Sequence, residues 1–233
     1  EVVTEKVAQE DLATELPNYD AIIVRSATKV RQELIDQCPR LQVIARAGVG
    51  LDNIDHQYAR SIGRKVVNTP AASSQAVAEL VFTHFFSLAR FVHQSNRQLP
   101  AVGSDFKALK KSYSKGVQLR GKTLGIIGFG RIGVEAARIG LALGMKIMPV
   151  DLHVESRELE IDLYGAPDVK LKVTVETVKM EEMLAETDFL TIHVPSLKGA
   201  LIGAEELKKM KSSAILVNTA RGGVIDEEAL LAA

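Results

Sequence analysis

Three stretches of this chain carry residue types that could do chemistry. The first is Gly128-Phe-Gly-Arg-Ile-Gly133, a Gly-x-Gly-x-x-Gly pattern, with Asp151 standing 18 residues past its last glycine. Gly128 suits a tight turn, Gly130 lets a pyrophosphate approach the backbone, and Gly133 lets a helix pack close to the preceding strand. A helix opening at this point offers free N–H groups and the positive end of its dipole to phosphate. Asp151 can accept hydrogen bonds from ribose hydroxyls, and its charge would repel the extra phosphate of NADP, so the pattern favours NAD. A glycine-rich turn without a ligand is the plain alternative. The strand before, the helix behind and the acid at the next strand end together favour the cofactor. The second stretch holds Arg221, in NTARGGVID (218–226). It follows an apolar run at 214–219 and so stands past the carboxyl end of a strand, where open parallel sheets bind ligands. Gly222 and Gly223 leave room around the guanidinium. Position alone leaves open an anion clamp or a surface salt bridge to Asp226 or Glu227. In the third stretch, ARAGVGLDNID (45–55), Gly48 and Gly50 allow successive N–H groups to point one way, a nest suited to a carboxylate, or simply a tight turn.

These residues need a scaffold, and the pattern predicts one. Short apolar runs at 20–25, 41–46 and 65–68 read as strands, with helices over 30–38 and 54–62 between them. Such alternation implies right-handed crossovers and a parallel sheet. The rhythm breaks at Thr69-Pro70, after which Ser73 or Ser74 can cap a long helix to about Gln98, apolar on most sides and read as a crossing between two domains. Residues 101–119 are polar, Lys-rich and irregular, an arm or loop. A second parallel unit follows, with strands at 122–127, 146–150, 189–194 and 214–219 and a helix over 131–143. Strict alternation at 169–175, with 158–164 before it, predicts a half-exposed hairpin. The domain reading is therefore a first domain over 1–71 and a dinucleotide domain over 72–233. The chain opens on Glu1-Val2-Val3-Thr4, read as the second strand of a sheet whose first strand and helix lie upstream. It therefore looks cut at the front.

Composition narrows the class. The 233 residues are 46% hydrophobic and 25% charged, and Lys+Arg and Asp+Glu are both 29, a balance that suggests neither nucleic acid nor an anionic membrane surface as partner. One cysteine, Cys38, rules out an internal disulfide and suits a reducing, cytoplasmic compartment. No apolar run approaches the ~20 residues of a membrane span. No metal site is expected.

The stretches VRSATKV (24–30), RAGVGLDNID (46–55), NTP (68–70), AEL (78–80), GKTLGIIGFGRIG (121–133) and NTARGGVIDEEAL (218–230) together resemble the D-isomer-specific 2-hydroxyacid dehydrogenases. The resemblance runs over essentially the whole chain. It implies an α/β protein of two doubly wound parallel-sheet domains, a flavodoxin-like substrate domain and a Rossmann NAD-binding domain. It implies further an active site in the cleft between them and hydride transfer from C2 of a phosphorylated 2-hydroxy acid to NAD. Carried over residue by residue, Arg221 becomes the catalytic arginine that holds the substrate carboxylate and polarises the C2 oxygen. Gly128, Gly130, Arg131, Ile132 and Gly133 receive the pyrophosphate, Asp151 the adenosine ribose. His193, Val194, Pro195, Thr219 and Ala220 line the cofactor wall beside Arg221. Gly48, Val49 and Gly50 receive the carboxylate, with Val49 also near the cofactor. Arg25, Ser26 and Asn53 meet the substrate end, where Arg25 and Lys29 could answer a phosphate.

The family's acid/base histidine and its orienting glutamate are expected beyond Ala233, so the chain looks cut at the back as well. None of the five histidines takes that role, His193 being a wall residue at a strand end. The hairpin region lies where most relatives carry a shorter helical segment. Two rivals stand beside this reading: a relative acting on glyoxylate, lactate or formate, and a non-enzymatic NAD(H)-sensing corepressor-like protein. Phe82, Phe86 and Phe106 on the crossing helix and arm predict a homodimer or higher oligomer.

Overall fold

The computed structural model describes residues 2–101, 103, 105–162, 165–166 and 168–233. Its contacts divide it into two units, Glu1–Ser73 and Ser74–Ala233. In the first, three short strands rich in Val and Ile pair in parallel: β1 (Ala21–Val24), β2 (Val43–Arg46) and β3 (Lys65–Asn68), in that order, with Ile22, Ile44 and Val66 side by side. A short α1 (Leu12–Glu15) and a 3-10 turn at Leu16–Asn18 lead in; α2 (Gln32–Asp36) and α3 (His56–Ser61) form the crossovers. Val24, Ile44 and Val66 pack with Val30, Ile35, Ala59 and the buried Cys38 thiol into one core. Ile23 and Val67 point the other way and are exposed.

The expected strand at 1–4 does not form. Glu1 lies outside the described residues, and Val2 to Thr4 form no strand and belong to no sheet among the described residues. Two valines without a ladder hold nothing, and Val2 is almost wholly exposed.

The second unit opens with α4 (Ser74–Ala89), followed by α5 (Val92–Gln98) and α6 (Phe106–Tyr113). The predicted single helix over 74–98 is thus broken. Phe91 sits at φ 55°, in the left-handed region that a bulky side chain rarely enters. The break has a tertiary cause. Phe91 stacks on Tyr113 of α6 at 5.7 Å, and Val117 donates its N–H to the Ala89 carbonyl that α4 leaves open. Gly116 allows that approach, since a Cβ there would stand 3.2 Å from the same carbonyl. The predicted irregular arm holds a real helix, α6, capped by Asp105, whose Oδ1 accepts from Lys107 and Ala108.

Four parallel strands follow, β4 (Thr123–Ile127), β5 (Lys146–Val150), β8 (Phe189–Ile192) and β9 (Ile215–Asn218), in the order β5-β4-β8-β9. Helix α7 (Arg131–Ala142) links β4 to β5; α8 (Met180–Glu186) and α9 (Ala204–Lys209) precede β8 and β9, and α10 (Glu227–Ala232) ends the chain. One core, around Phe82, Phe85 and Phe189, joins α4 and α7 to the sheet; another, around Met183, Leu184 and Ile192, joins α8 and α9. Helices on both faces of a parallel sheet make this a doubly wound, Rossmann-like unit. Gly125, mid-strand in β4, makes room for α8: a Cβ there would run into Met183 Sδ and Thr187 Oγ1. Between β5 and α8 stands the predicted hairpin, β6 (Ser156–Asp162) against β7 (Lys170–Glu176). Leu159 and Val175 on its inner face join the core, while Lys170–Glu160 and Lys172–Glu158 ion pairs cover the outer face. Among the described residues no helix is long and apolar enough to cross a membrane.

Candidate functional site

The register of the second sheet aligns four strand ends. Ile127 of β4 pairs with Val150 of β5 and with Ile192 of β8, and Ile192 pairs with Asn218 of β9. The next residue on each strand is therefore Gly128, Asp151, His193 or Thr219, all at one carboxyl edge. The order reverses between β5 and β8 on either side of β4, which is where such sheets open a crevice.

Glycine chemistry shapes the turn at that edge. Gly128 has φ 92°, and a Cβ on it would stand 2.6 Å from the His193 carbonyl. A Cβ on Gly133 would collide with the Gly128 carbonyl, so only glycine lets the first turn of α7 come this close to β4. Gly130 differs. As N-cap of α7 it has φ −77°, which any residue can adopt, and an added Cβ would meet no protein atom within 4 Å. Nothing in the protein requires glycine there, whereas a phosphate lying against the backbone would. Arg131 and Ile132 open α7 directly behind it, with their N–H groups at the helix start.

Asp151 holds the turn in place. Its Oδ2 accepts from Phe129 N–H at 2.7 Å and its Oδ1 from His153 N–H at 2.8 Å. Burial raises its pKa, but the N–H groups of His153, Phe129 and Val154 outweigh that and leave the carboxyl below its usual range. An ionised carboxylate has about four acceptor sites, so these three N–H groups leave capacity for a ribose hydroxyl. The next peptide is held too: Arg157, second residue of β6, donates Nε–H to the Phe129 carbonyl at 3.0 Å. The sequence reading missed Arg157, and its strand alternation, on the Leu159 side of the hairpin, was the available signal.

Two polar atoms at this edge, His193 Nδ1 and Thr219 Oγ1, are buried without a hydrogen-bond partner among the described residues. Such atoms are costly unless something else satisfies them, and a bound amide or ribose would. With the open space at Gly130, they fit a dinucleotide. Val194 packs beside the core of this face, and Val194 Cγ1 would lie 3.2 Å from a Cβ on Gly128. Pro195 follows in the loop.

Arg221 stands in a loop braced by Asn218, whose Nδ2 donates to the Arg221 carbonyl and whose Oδ1 accepts from Ala220 N–H. The Arg221 Nη1 donates to the Ala220 carbonyl at 2.8 Å, which folds the side chain back over the strand end. Asp226 caps α10 by accepting from Ala229 N–H.

In the first unit the expected nest is smaller than the glycines suggest. Gly48 N–H already donates to the Arg46 carbonyl, while the N–H groups of Val49 and Gly50 have no backbone acceptor among the described residues. Asn53 is not placed to offer its amide to a ligand. Its Nδ2 donates to the Arg25 and Thr28 carbonyls and its Oδ1 accepts from Arg46 Nε. It braces the loop that carries Arg25 and Ser26, both exposed. Arg46, not singled out from sequence, lies against the nest: a Cβ on Gly48 would be 2.6 Å from its Nη1. Its place as last residue of β2 was the readable sign. Among the described residues no group of three His, Cys, Asp or Glu could hold a metal.

Burial alone pushes the His193 ring down to about 4. The folded chain therefore refuses a proton that the unfolded chain accepts below its ordinary value near 6.5. Stability attributable to this ring is full above pH ~6.5 and falls as pH drops towards 4. Urea unfolding at pH 7 and 4.5 should show wild type losing about 2 kcal/mol more than His193→Gln. Equal losses in the two proteins would contradict the burial of a neutral ring.

Residues 82–233 match the family model for the D-isomer specific 2-hydroxyacid dehydrogenase NAD binding domain. The hydroxypyruvate reductase of Thermotoga maritima is 43% identical over 99% of this chain and 70% of its own length. A D-3-phosphoglycerate dehydrogenase of Archaeoglobus fulgidus is 38% identical over 96% of this chain, which spans 40% of that protein. Among solved structures, D-lactate dehydrogenase from Aquifex aeolicus, complexed with NAD and lactic acid, superposes with a TM-score of 0.70 at 31% identity, over 94% of this chain and 61% of that one. The likeness holds for the second unit by family and for nearly the whole chain by identity, and on that ground the chain belongs to the D-isomer specific 2-hydroxyacid dehydrogenases.

Proposed function

We propose that this chain serves an NAD-dependent oxidation of a phosphorylated 2-hydroxy acid, D-3-phosphoglycerate to 3-phosphohydroxypyruvate, the first step of serine biosynthesis, in the cytoplasm. The observation that carries the reading is the aligned carboxyl edge of the second sheet, with Gly128–Gly133, Asp151, His193, Thr219 and Arg221 at adjoining strand ends. NAD, when bound, supplies the acceptor for the C2 hydride. The chain's own residues bind and orient. Gly130 and the start of α7 receive the pyrophosphate, Asp151 the ribose, and Val194, Pro195, Thr219 and Ala220 the remaining wall. Arg221 offers a planar, permanently charged fork to the substrate carboxylate and stabilises negative charge developing at the C2 oxygen. In the first unit, the Val49 and Gly50 N–H groups are suited to an anion such as a carboxylate, and Arg25 and Arg46 are cations of that unit suited to a phosphate. The hydroxyl proton needs a base. His193 is a poor one, since burial holds it neutral with a pKa of about 4.

A second reading has one specific support, the 43% identity to a hydroxypyruvate reductase. It keeps every role above and removes the need for a phosphate at the far end. Turnover of 3-phosphohydroxypyruvate beside hydroxypyruvate and glyoxylate separates the two, and preference for an unphosphorylated acid would overturn the first.

For assembly we propose a homodimer. Phe86 and Leu88 of α4, Val92 of α5 and Phe106 of α6 are exposed, whereas Phe82 belongs to the core and is withdrawn from the predicted interface. Light scattering at micromolar concentration should give twice the chain mass; a monomer would contradict it.

The chemical test is Arg221→Lys, which keeps the charge and loses the fork. It should lower kcat/KM for the hydroxy acid by at least tenfold, about 1.4 kcal/mol, and leave the Kd for NADH within about twofold. A change in kcat/KM below about threefold would make Arg221 a structural residue.

A further inference from the structure

The hairpin β6–β7 is tied to the cofactor turn at one place, and that place carries a cation. Its base is fixed by Thr177, whose N–H bonds the Glu155 carbonyl and whose hydroxyl bonds those of Val154 and Glu155, and by Val178 N–H on the Pro149 carbonyl of β5. Arg157, second residue of β6, is therefore held at a defined position. Its register partner is Val175, so Arg157 lies on the Leu159 face of the hairpin rather than among the outer Glu–Lys pairs, and it is itself exposed at the end of that face. Its Nε–H bonds the Phe129 carbonyl, while Asp151 takes the N–H of the same residue. One residue of the glycine turn thus separates the carboxylate suited to the ribose from a guanidinium. Among the described residues Arg157 has no ion-pair partner, unlike Lys170 and Lys172 on the outer face. Its Nε is engaged, which leaves the Nη donors to meet an anion.

We propose that Arg157 is a specificity residue at the adenosine end of the cofactor site, where its free guanidinium edge receives a phosphate on the ribose and so narrows the preference for NAD over NADP that Asp151 imposes. The inference rests on the dinucleotide reading above. The physics is a contest between two charges beside one ribose. Asp151 favours a 2′-hydroxyl and repels a 2′-phosphate; Arg157 attracts the phosphate and makes little difference to the hydroxyl.

Two nucleotide fragments isolate the effect, because 5′-AMP and 2′,5′-ADP differ only in the 2′-phosphate. Their Kd values, with those of NADH and NADPH, are measured by calorimetry on wild type, Arg157→Gln and Arg157→Lys. Arg157→Gln should weaken 2′,5′-ADP and NADPH by roughly tenfold or more, the worth of a charge-assisted hydrogen bond to phosphate, and leave 5′-AMP and NADH within about twofold. Arg157→Lys should recover part of the loss, and added salt should shrink it. Equal weakening of both fragments would leave Arg157 no role beyond bracing the turn and overturn the proposal while leaving the dinucleotide reading intact. No binding of either fragment or either cofactor to wild type would overturn both.

Discussion

The close approach of α7 to the end of β4 is the constraint on which the rest of the site depends. Gly133 lies so near the Gly128 carbonyl that no side chain fits between them. That contact sets where the helix N-terminus points, and the positive φ at Gly128 lets the strand turn into it without strain. Phe129 is then held at both of its backbone groups, by Asp151 on its N–H and Arg157 on its carbonyl. Its ring is wholly buried in the core shared by α4 and α7. A turn anchored this way presents its N–H groups in one arrangement before any ligand arrives, and preorganised donors lose little on binding.

The same economy of space recurs elsewhere in the second unit. Gly125 admits α8 against the middle strand, and Gly140 lets α7 settle on Leu124 and Ile147. Because these contacts fix the strands in register, the carboxyl edge becomes a row of neighbours drawn from four distant parts of the chain. The turn of β4, the acid of β5, the wall of β8 and the arginine loop of β9 meet there through the sheet, not through sequence proximity.

Local pattern revealed most of this scaffold and little of what tertiary contact decides. Runs of β-branched residues with glycine at their ends were enough to read Lys65–Asn68 and Lys146–Val150 at their observed bounds. The glycine pattern with Asp151 was legible because each part has a local reason. The break at Phe91 was not, since apolar spacing continues straight through it and the cause is a ring on α6 and an N–H at Val117. Val2-Val3 looked like a strand because propensity is blind to the absence of a partner. Asn53 shows the same limit in the site: its place in the motif suggests a ligand contact, but its amide is occupied by carbonyls 25 and 28 residues away. Arg46 and Arg157 were passed over for the converse reason, since what makes each notable is a partner far along the chain.

The central claim is that the space beside Gly130 belongs to a dinucleotide phosphate. Substituting valine there tests it directly, because the backbone angle suits any residue and a Cβ meets no protein atom. Gly130→Val should leave the melting temperature within about 2 °C, the shift expected for under 1 kcal/mol in a protein of this size, and should weaken NADH by at least about thirtyfold, some 2 kcal/mol. Unchanged NADH affinity in a protein of unchanged stability would contradict the account.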